Sequence, residues 1–369
     1  MGDDELYSIA LTKIQGLGNI GAYNLIKTLG SAKAVFDNRK NLPEILSLPS
    51  RKLVDALDSK EAFIKAEKEI SFIEKNRISC ITVNSQLYPN RLRNCDDAPI
   101  VLYYRGNCDL NSLHIISVVG TRNISEYGHN ICTRFIQELS DIVPDAVIVS
   151  GLAYGVDILA HKTALSNGLS TIAVLAHGLD RIYPSVHRKF AIEMLEKGGL
   201  LTEFVSETNP DRQNFIKRNR IVAGMSDAVV IVQSALKGGA LITADIADSY
   251  GRDCLAFPGN INDEYSKGCN KLIRENKAVL VTSAEDVVLT LGWEHKEIKK
   301  EIQRQLFPEM SDEERKVTEI LKLSPNGMQI NKIVVDADIP VNRLSATLFE
   351  LEMKGVVTSL AGGVYKLLC

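Results

Sequence analysis

An α/β fold with a doubly wound, mostly parallel sheet is predicted by two features of the central part of the chain. From about residue 113 to residue 292, short β-branched and apolar runs alternate with segments long enough to form helices. The apolar runs are continuous rather than alternating with polar residues, which is typical of strands that helices cover on both faces. Together these features indicate an extended Rossmann-like domain over residues 76–292.

Residues 1–75, before this domain, predict a small helical domain. The stretch IQGLGNIGAYNLIKTLG places Gly16, Gly18 and Gly21 between two runs with helical apolar periodicity. Glycines at this spacing permit a tight turn between helices. The pattern resembles a helix-hairpin-helix or a SAM-like unit, whose glycine turn can offer backbone amides to a DNA phosphate. The alternative is a plain helical cap on the next domain.

Six runs in the central domain are predicted to be strands, because each is apolar and ends in glycine, proline or a polar cluster. They read LHIISVVG, DAVIVSG, STIAVLA, GGLLTEF, DAVVIVQ and DCLAFPG. Helices are predicted between them, in EYGHNICTRFIQELSDIV, GVDILAHKTALSNG and ALITADIADSYG. In such a sheet a ligand binds at the carboxyl ends of the strands, where the strand-to-helix loops meet.

The C-terminal part of the chain predicts a charged linker, residues 293–311, and a winged-helix domain, residues 312–369. Three helical segments are followed by a hairpin turned at Gly362-Gly363. Winged helices bind DNA or dock onto proteins. Arg343 is the only base in the candidate recognition helix before Lys354, which favours docking or dimer support.

Length and composition restrict the class of protein. The chain has 369 residues, of which 45% are hydrophobic and 24% charged, as in globular proteins of more than one folding unit. No apolar run of about 18 residues occurs, and the acidic start differs from a signal peptide, so we expect no membrane span and a cytoplasmic location. The seven cysteines are scattered and never spaced C-x-x-C, which predicts reduced thiols and no zinc site. We expect no metal and no cofactor.

Three glycine-containing turns follow predicted strands and are candidates for binding phosphate groups. Their backbone amides, at the start of the following helices, are the expected donors. The candidate residues are Gly120 and Thr121 after the first strand, Gly151 and Gly155 after the second, and Gly238, Gly239 and Thr243 after a later one. None of these three turns is a Walker A loop and none reads G-x-G-x-x-G, so they lack the usual ATP and dinucleotide motifs.

The segment RQNFIKRNR, residues 212–220, is the second candidate site. It carries Arg212, Lys217, Arg218 and Arg220 with Asn219 and Phe215, and no acid occurs from residue 212 to residue 226. We expect it in the loop and first helical turn at the ligand edge, near Arg122. Clustered cations bind phosphates, and an aromatic ring among them can stack on an unpaired base, which predicts binding of single-stranded nucleic acid. Alternatively, Phe215 is a core residue beneath the loop.

Many blocks of the sequence, in order, resemble the DNA-processing protein DprA (Smf) family. The resemblance implies a non-enzymatic protein that protects incoming single-stranded DNA in the competence pathway of natural transformation. It further implies a homodimer that loads RecA recombinase onto strands coated by single-strand-binding protein. By position, the strand-binding residues would be Arg122, Arg212, Phe215 and the Arg218-Asn219-Arg220 block. The blocks are LYPNRLRNCDDAPIVLYYRGN, VVGTRNISEYG, SGLAYGVDILAHKTAL, TIAVLAHGLDRIYPSVHRKFA, LLTEF, FIKRNRIVAGMSDAVVIVQ, GGALITADIADSYGRDCLAFPGN and SKGCNKLI.

Two departures and one rival function remain. The chain has GTR and GGALITA where the family often has GSR and SGSLITA, which places a side-chain phosphate contact at Gly238 in doubt. The rival is a nucleotide-binding enzyme similar to phosphoribohydrolases, with Glu203 and Arg220 in the catalytic roles. That family's Pro-Gly-Gly-x-Gly-Thr turn is followed shortly by Glu, whereas here no acid follows until Asp245. The histidines at positions 161, 177 and 187 lack metal-ligand spacing, and we interpret Asp157, His161 and Asp180 as residues that hold loops by hydrogen bonds.

Overall fold

The computed structural model describes residues 2–42, 51–293, 310–324, 327–360 and 363–367. It divides the chain into two compact units, Met1–Glu297 and Ile298–Cys369. The predicted α/β class, with helices before the sheet and a winged helix after it, is confirmed. The linker prediction falls on residues 294–309, which lie outside the described residues.

The N-terminal helices pack against the sheet and belong to the same unit as it does. Their rings contact one another, with centroids of Phe36 and Phe63 5.0 Å apart. Thr82 of the sheet donates a hydrogen bond to Asp4 at 2.8 Å, and the Tyr23 hydroxyl donates to the carbonyl of Arg93 at 2.9 Å. The predicted boundary near residue 75 therefore separates two parts of one compact unit. These helices are α1 (Asp3–Thr12), α2 (Asn19–Leu29), α3 (Ala32–Asp37), α4 (Arg51–Leu57) and α5 (Lys60–Lys75).

A nine-stranded sheet forms the centre of this unit, in the order β1-β2-β6-β5-β4-β3-β7-β8-β9. From β6 to β9 in this order, adjacent strands are parallel, whereas β2 pairs antiparallel with both β1 and β6. The sequence predicted β3 to β8 and did not single out β1, β2 or β9. The strands are β1 (Ser79–Thr82), β2 (Val101–Gly106), β3 (Ile115–Val119), β4 (Val147–Ser150), β5 (Ser170–Val174), β6 (Gly198–Thr202), β7 (Ala228–Ile231), β8 (Asp253–Ala256) and β9 (Val279–Leu280).

Helices cover both faces of the sheet, which is why every residue of β3 is buried. Among them, the helix Glu126–Ile142 is capped by Ser125, whose hydroxyl accepts from the amide of Gly128, and it buries Ile131, Phe135 and Leu139 at helical spacing. The helices are α6 (Asn90–Arg93), α7 (Glu126–Ile142), α8 (Val156–Ser166), α9 (Arg188–Lys197), α10 (Arg212–Gly224), α11 (Gly239–Ser249), α12 (Lys267–Arg274) and α13 (Ala284–Thr290).

The strand order changes direction between β3 and β7. The chain runs from β3 through β4 and β5 to β6, and then returns to place β7 on the other side of β3. This switch point is where an open α/β sheet leaves a crevice at the carboxyl ends of its strands. The loops that carry the candidate residues all leave from this edge.

The C-terminal unit is a winged helix. Ser311 and Glu314 cap its first helix reciprocally. Arg343, on the candidate recognition helix, forms an ion pair with Glu313. Gly362 of the predicted turn lies outside the described residues, whereas Gly363 is described. The elements are α14 (Asp312–Lys322), β10 (Met328–Gln329), α15 (Ile330–Ala337), α16 (Val341–Met353), β11 (Val357–Leu360) and β12 (Val364–Leu367), with sheet order β10-β12-β11.

Two further features are absent from the described ranges. No helix there is both long and apolar enough to cross a membrane. No group of three or more His, Cys, Asp or Glu side chains there is placed to hold a metal ion. The described cysteines are free thiols, and Cys369 lies outside the described residues.

Candidate nucleic-acid interface

The loops after β3 and β4 touch each other at the carboxyl edge of the sheet. The amide of Val156 donates to the carbonyl of Thr121 at 3.1 Å. Gly155 has φ of +74°, and a Cβ at this position would lie 2.2 Å from the same carbonyl. Only glycine fits this close approach. Gly155 therefore fixes the position of Arg122, which follows Thr121 and is exposed.

The glycine turn after β3 closes the switch-point crevice instead of opening it to a ligand. The amide of Thr121 donates to the carbonyl of Gln233 at 2.8 Å, so it is not free to bind a phosphate. A Cβ on Gly120 would lie 2.4 Å from the side chain of Val156, so this glycine serves helix packing. The Thr121 hydroxyl accepts from the amide of Asn123 at 3.1 Å. The prediction that Gly120 and Thr121 bind phosphate was wrong for these reasons.

The turn after β7 keeps only part of its predicted role. Gly238 donates its amide to the carbonyl of Ala235 at 3.1 Å, and a Cβ there would lie 2.3 Å from the Ser234 hydroxyl. Thr243 is buried, and its hydroxyl faces the carbonyl of Gly239 at 3.4 Å, so it cannot reach a ligand. Gly239 is exposed at the first position of α11, where amides have no partner within the helix. Gly239 therefore stays a candidate, whereas Gly238 and Thr243 do not.

The basic segment lies entirely within α10, which begins at Arg212, and not in a loop followed by one helical turn. The first half of α10 is mostly exposed. Its second half is mostly buried, because the residues from Ile221 to Gly224 are apolar and enter the core. Arg218 and Arg220 are carried inward with them and are only 4% and 7% exposed. The prediction that both bind phosphate at the surface was therefore wrong.

Arg218 lies against the backbone of Gly151. A Cβ on Gly151 would lie 1.4 Å from Nη1 of the guanidinium, so glycine is required there. Asp157 places a carboxylate oxygen 3.9 Å from the same nitrogen. Burial lowers the pKa of Arg218 and raises the pKa of Asp157, while the two opposite charges favour each other's ionised form. Gly151 thus accommodates the guanidinium of Arg218. This packing takes the place of the phosphate contact that was predicted for Gly151.

Arg220 pairs with Glu203, which lies just after β6. It also donates to the carbonyl of Asp97 at 2.7 Å. Glu203 accepts a further bond, from the side chain of Asn19 at 3.0 Å, at the start of α2. Burial raises the pKa of Glu203, and the charge of Arg220 opposes this rise. The ion pair therefore joins α10 to the N-terminal helices, and both side chains are only 9% exposed, with Oε1 of Glu203 left without a hydrogen-bond partner.

The remaining residues divide between two faces of α10. Arg212 and Asn219 lie about 60° and 40° around the helix from Phe215, and so share its face. Lys217 lies about 200° from Phe215 and is close enough to Glu203 to influence its pKa. The structure therefore gathers Arg212 and Asn219 at the Phe215 face and leaves Lys217 on the opposite one.

Phe215 is half-buried between the β3 and β5 loops. The guanidinium carbon of Arg122 lies 5.1 Å from its ring centroid, a cation–π arrangement. On the side of the β5 loop, the Tyr183 ring lies 6.0 Å away at an interplanar angle of 61°. Tyr154 of the β4 loop and Tyr183 are 49% and 47% exposed. We call the group Arg122, Tyr154, Tyr183, Arg212, Phe215 and Asn219 the carboxyl-edge surface.

Sequence reasoning missed the two tyrosines of this surface. Their signal was present, because both stand in strand-to-helix loops, in LAYG and RIYPS, where large aromatic residues are not needed for a core.

His177 and His187 brace these loops, whereas His161 joins α8 to β5. His161 is fully buried, and its Nδ1 lies 2.6 Å from the Thr171 hydroxyl, which donates to the carbonyl of Ile148. Nδ1 must therefore carry the proton. Burial lowers the pKa of His161 to about 3. His187 donates from Nδ1 to the carbonyl of Leu152 at 2.8 Å.

Comparison with known proteins identifies the family. The family model of DNA recombination-mediator protein A matches residues 79–292, and that of the DprA winged helix matches residues 304–363. Protein Smf of Escherichia coli is 34% identical over 307 residues, which cover 82% of this chain and 80% of that protein. DNA processing protein DprA of Streptococcus pneumoniae is 39% identical over 215 residues, 58% of this chain and 75% of that one.

Two solved structures agree with this assignment. The crystal structure of Streptococcus pneumoniae DprA has a TM-score of 0.61 at 32% identity, covering 77% of this chain and 97% of that one. DNA processing protein A from Helicobacter pylori, described for its single-stranded DNA binding mode, has a TM-score of 0.53 at 30% identity, covering 58% and 95%. This chain belongs to the DprA (Smf) family of DNA recombination mediators.

Proposed function

We propose that this chain binds single-stranded DNA at the carboxyl-edge surface and mediates recombination without breaking a covalent bond. The observation that carries the proposal is the exposed Arg122 guanidinium held over the ring of Phe215. It places a phosphate-binding cation beside an aromatic ring, which is the combination that holds unpaired strands without reading their sequence. The Helicobacter pylori relative, described as binding single-stranded DNA, supports the same function.

Each part of this surface has a separate task. Arg122 and Arg212 supply cations for phosphate oxygens, to which arginine can donate two parallel hydrogen bonds. Phe215 and the neighbouring rings supply apolar faces for bases. In a duplex those base faces are hidden by stacking, so the surface favours single strands.

The rival phosphoribohydrolase activity is disfavoured by two contacts. Glu203, the proposed catalytic carboxylate, is held by Arg220 and Asn19 in a buried network. The switch-point crevice, where α/β enzymes bind nucleotides, is occupied by Gln233, which donates to Ser125 at 2.7 Å and to Asp263 at 3.2 Å. We therefore propose a binding protein rather than an enzyme.

Family membership also supports a set of partners and a location. We propose that the chain acts as a homodimer in the cytoplasm, protects incoming strands during natural transformation, and loads RecA onto strands coated by single-strand-binding protein. RecA-dependent strand exchange on coated single-stranded DNA tests this part, and the chain should shorten the lag before RecA filaments form.

The binding proposal is tested by fluorescence anisotropy with a labelled 20-nucleotide oligothymidylate and a 20-base-pair duplex over a salt series. We expect the single strand to bind more tightly. Arg122→Ala should weaken binding and reduce the slope of log affinity against log salt by about 0.7, the value for one phosphate contact. The control is Arg105→Ala, because Arg105 is exposed on β2 opposite Leu200, away from the strand-to-helix loops. Equal slopes for wild type and Arg122→Ala, or tighter duplex binding, would contradict the proposal.

A further inference from the structure

Two exposed tyrosines extend the aromatic part of the carboxyl-edge surface beyond Phe215. Tyr183 is 47% exposed and Tyr154 is 49% exposed, although large aromatic rings are usually more buried than this. Single exposed apolar residues are common and need no explanation. These two differ because each makes an edge-to-face ring contact, Tyr183 with Phe215 at 6.0 Å and Tyr154 with His187 at 5.0 Å.

Hydrogen bonds hold the β5 loop, which carries Tyr183, at both sides. The amide of Tyr183 donates to Nε2 of His177 at 3.2 Å. Arg181 bonds the side chain of Asn209, in the segment before α10, at 2.8 Å. This second contact fixes the loop relative to the helix that carries Phe215. The Tyr183 ring is therefore positioned before any ligand binds, which lowers the entropic cost of binding.

The β4 loop, which carries Tyr154, is joined to the β5 loop through His187. This histidine lies four residues after Tyr183, and its amide donates to the carbonyl of Pro184 at 3.0 Å. Its ring donates to the carbonyl of Leu152 at 2.8 Å and packs against Tyr154. Phe215 with Tyr183 and His187 with Tyr154 thus form two ring pairs, joined along the chain from residue 183 to residue 187, and together they make a path over two loops and the start of α10.

The charges around this path suit a nucleic-acid backbone. Arg188 is exposed directly after His187, and Lys162 lies with its ammonium 4.5 Å from the Phe190 ring centroid. The nearest acid along the β5 loop, Asp180, is paired with Arg181 at 2.9 Å. Arg188 therefore places an exposed cation directly after His187, while the charge of Asp180 is balanced by its partner.

We propose that Tyr183 and Tyr154 form a second base-stacking subsite, so that a bound single strand continues from Phe215 across the β5 loop toward the β4 loop. This inference rests on the proposed single-stranded DNA binding and adds the direction of the strand. Its ligand is an unpaired base of any kind, because every base offers a flat face to stack on.

The test uses Tyr183→Leu and Tyr154→Leu, which keep apolar contact with Phe215 and His187 but remove the ring faces. Each variant should bind 20-nucleotide oligothymidylate about 5- to 150-fold more weakly, the range that corresponds to losing one stacked base. The salt slope should not change, because no phosphate contact is lost. Tyr183→Phe should bind as wild type does. Tyr127→Leu is the matched control, because Tyr127 is 46% exposed but its hydroxyl bonds to Pro258, on the β8 side of the switch point.

A fluorescence readout separates stacking from an indirect structural effect. Oligothymidylate carrying single 2-aminopurine bases should be quenched on binding at the position that stacks, and Tyr183→Leu should restore fluorescence at one position only. The subsite is refuted if wild type binds and Arg122→Ala weakens binding while both leucine variants bind and quench as wild type does. If wild type itself fails to bind the oligonucleotide, the proposed function fails first.

Discussion

Replacing Arg218 tests whether this arginine stabilises the fold or binds DNA. In Arg218→Met the side chain keeps an unbranched apolar stem and loses its charge, so Asp157 loses its ion-pair partner in a site where the arginine was 4% exposed. Breaking a buried pair in this way costs about 3–5 kcal/mol of unfolding free energy. The pair is loose, at 3.9 Å, and burial already raises the pKa of Asp157. Asp157 can therefore take up a proton, and we expect a loss near the lower value, about 3 kcal/mol at pH 7.

Urea unfolding followed by the fluorescence of Trp293, the single tryptophan, measures this loss, since Trp293 packs on His114 within the first unit. A double-mutant cycle with Asp157→Asn isolates the pair, and Arg218→Met with Asp157→Asn should recover part of the loss. Gly151→Ala should destabilise the chain by displacing the same guanidinium. The reasoning is refuted if Arg218→Met unfolds within about 1 kcal/mol of wild type and lowers the salt slope of DNA binding by about 0.7.

Three further predictions concern stacking, pH and catalysis. Phe215→Ala should weaken oligothymidylate binding at all salt concentrations alike, since lost stacking removes no phosphate contact; a reduced slope in the anisotropy series would argue against this. Because His161 stays neutral in the fold and has a pKa of about 3 there, the unfolded chain binds the extra proton below its ordinary pKa, and stability falls as the pH drops below about 6.5. From pH 7 to pH 5, wild type should lose about 2 kcal/mol more than His161→Asn in urea unfolding, and parallel losses would show that His161 does not titrate. Incubation with AMP should release no base by chromatography, and release that Glu203→Gln abolishes would restore the hydrolase hypothesis.

The sheet was predictable because its strands are coded locally. Runs such as those of β3 and β7 are short and apolar and are bounded by turn residues, so their hydrophobic pattern and the flanking residues are enough to identify them as strands. β9 has two residues and β1 reads SCIT, so neither carries a pattern long enough to recognise. β2 contains a strong apolar run, but it pairs antiparallel with both β1 and β6, outside the βα alternation on which the prediction depended.

The residue types of the site were predictable from the sequence, but the directions in which their side chains lie were not. The sequence shows four cations near Phe215, yet the partners that bury two of them are distant along the chain, Asp157 for Arg218 and Glu203 for Arg220. The amide of Thr121 is likewise occupied by Gln233, more than one hundred residues away. No local pattern encodes such pairs. The number of cations in a basic segment of the sequence can therefore exceed the number that face a ligand in the fold.

This correction changes the expected electrostatics of binding. Five cations in contact with phosphates, Arg122 and the four of residues 212–220, would give a salt slope of about 3.5 on a single strand, at about 0.7 each. The structure leaves Arg122 and Arg212 on the Phe215 face. Two phosphate contacts correspond to a salt slope of about 1.4 from this region. Replacing both by alanine should remove that part of the slope. Lys217→Ala should remove none, although Lys217 is exposed and belongs to the same segment, because it lies across the helix from Phe215. The position of each cation around α10 therefore decides which charges bind DNA, and a slope change for Lys217→Ala equal to that for Arg212→Ala would contradict this division.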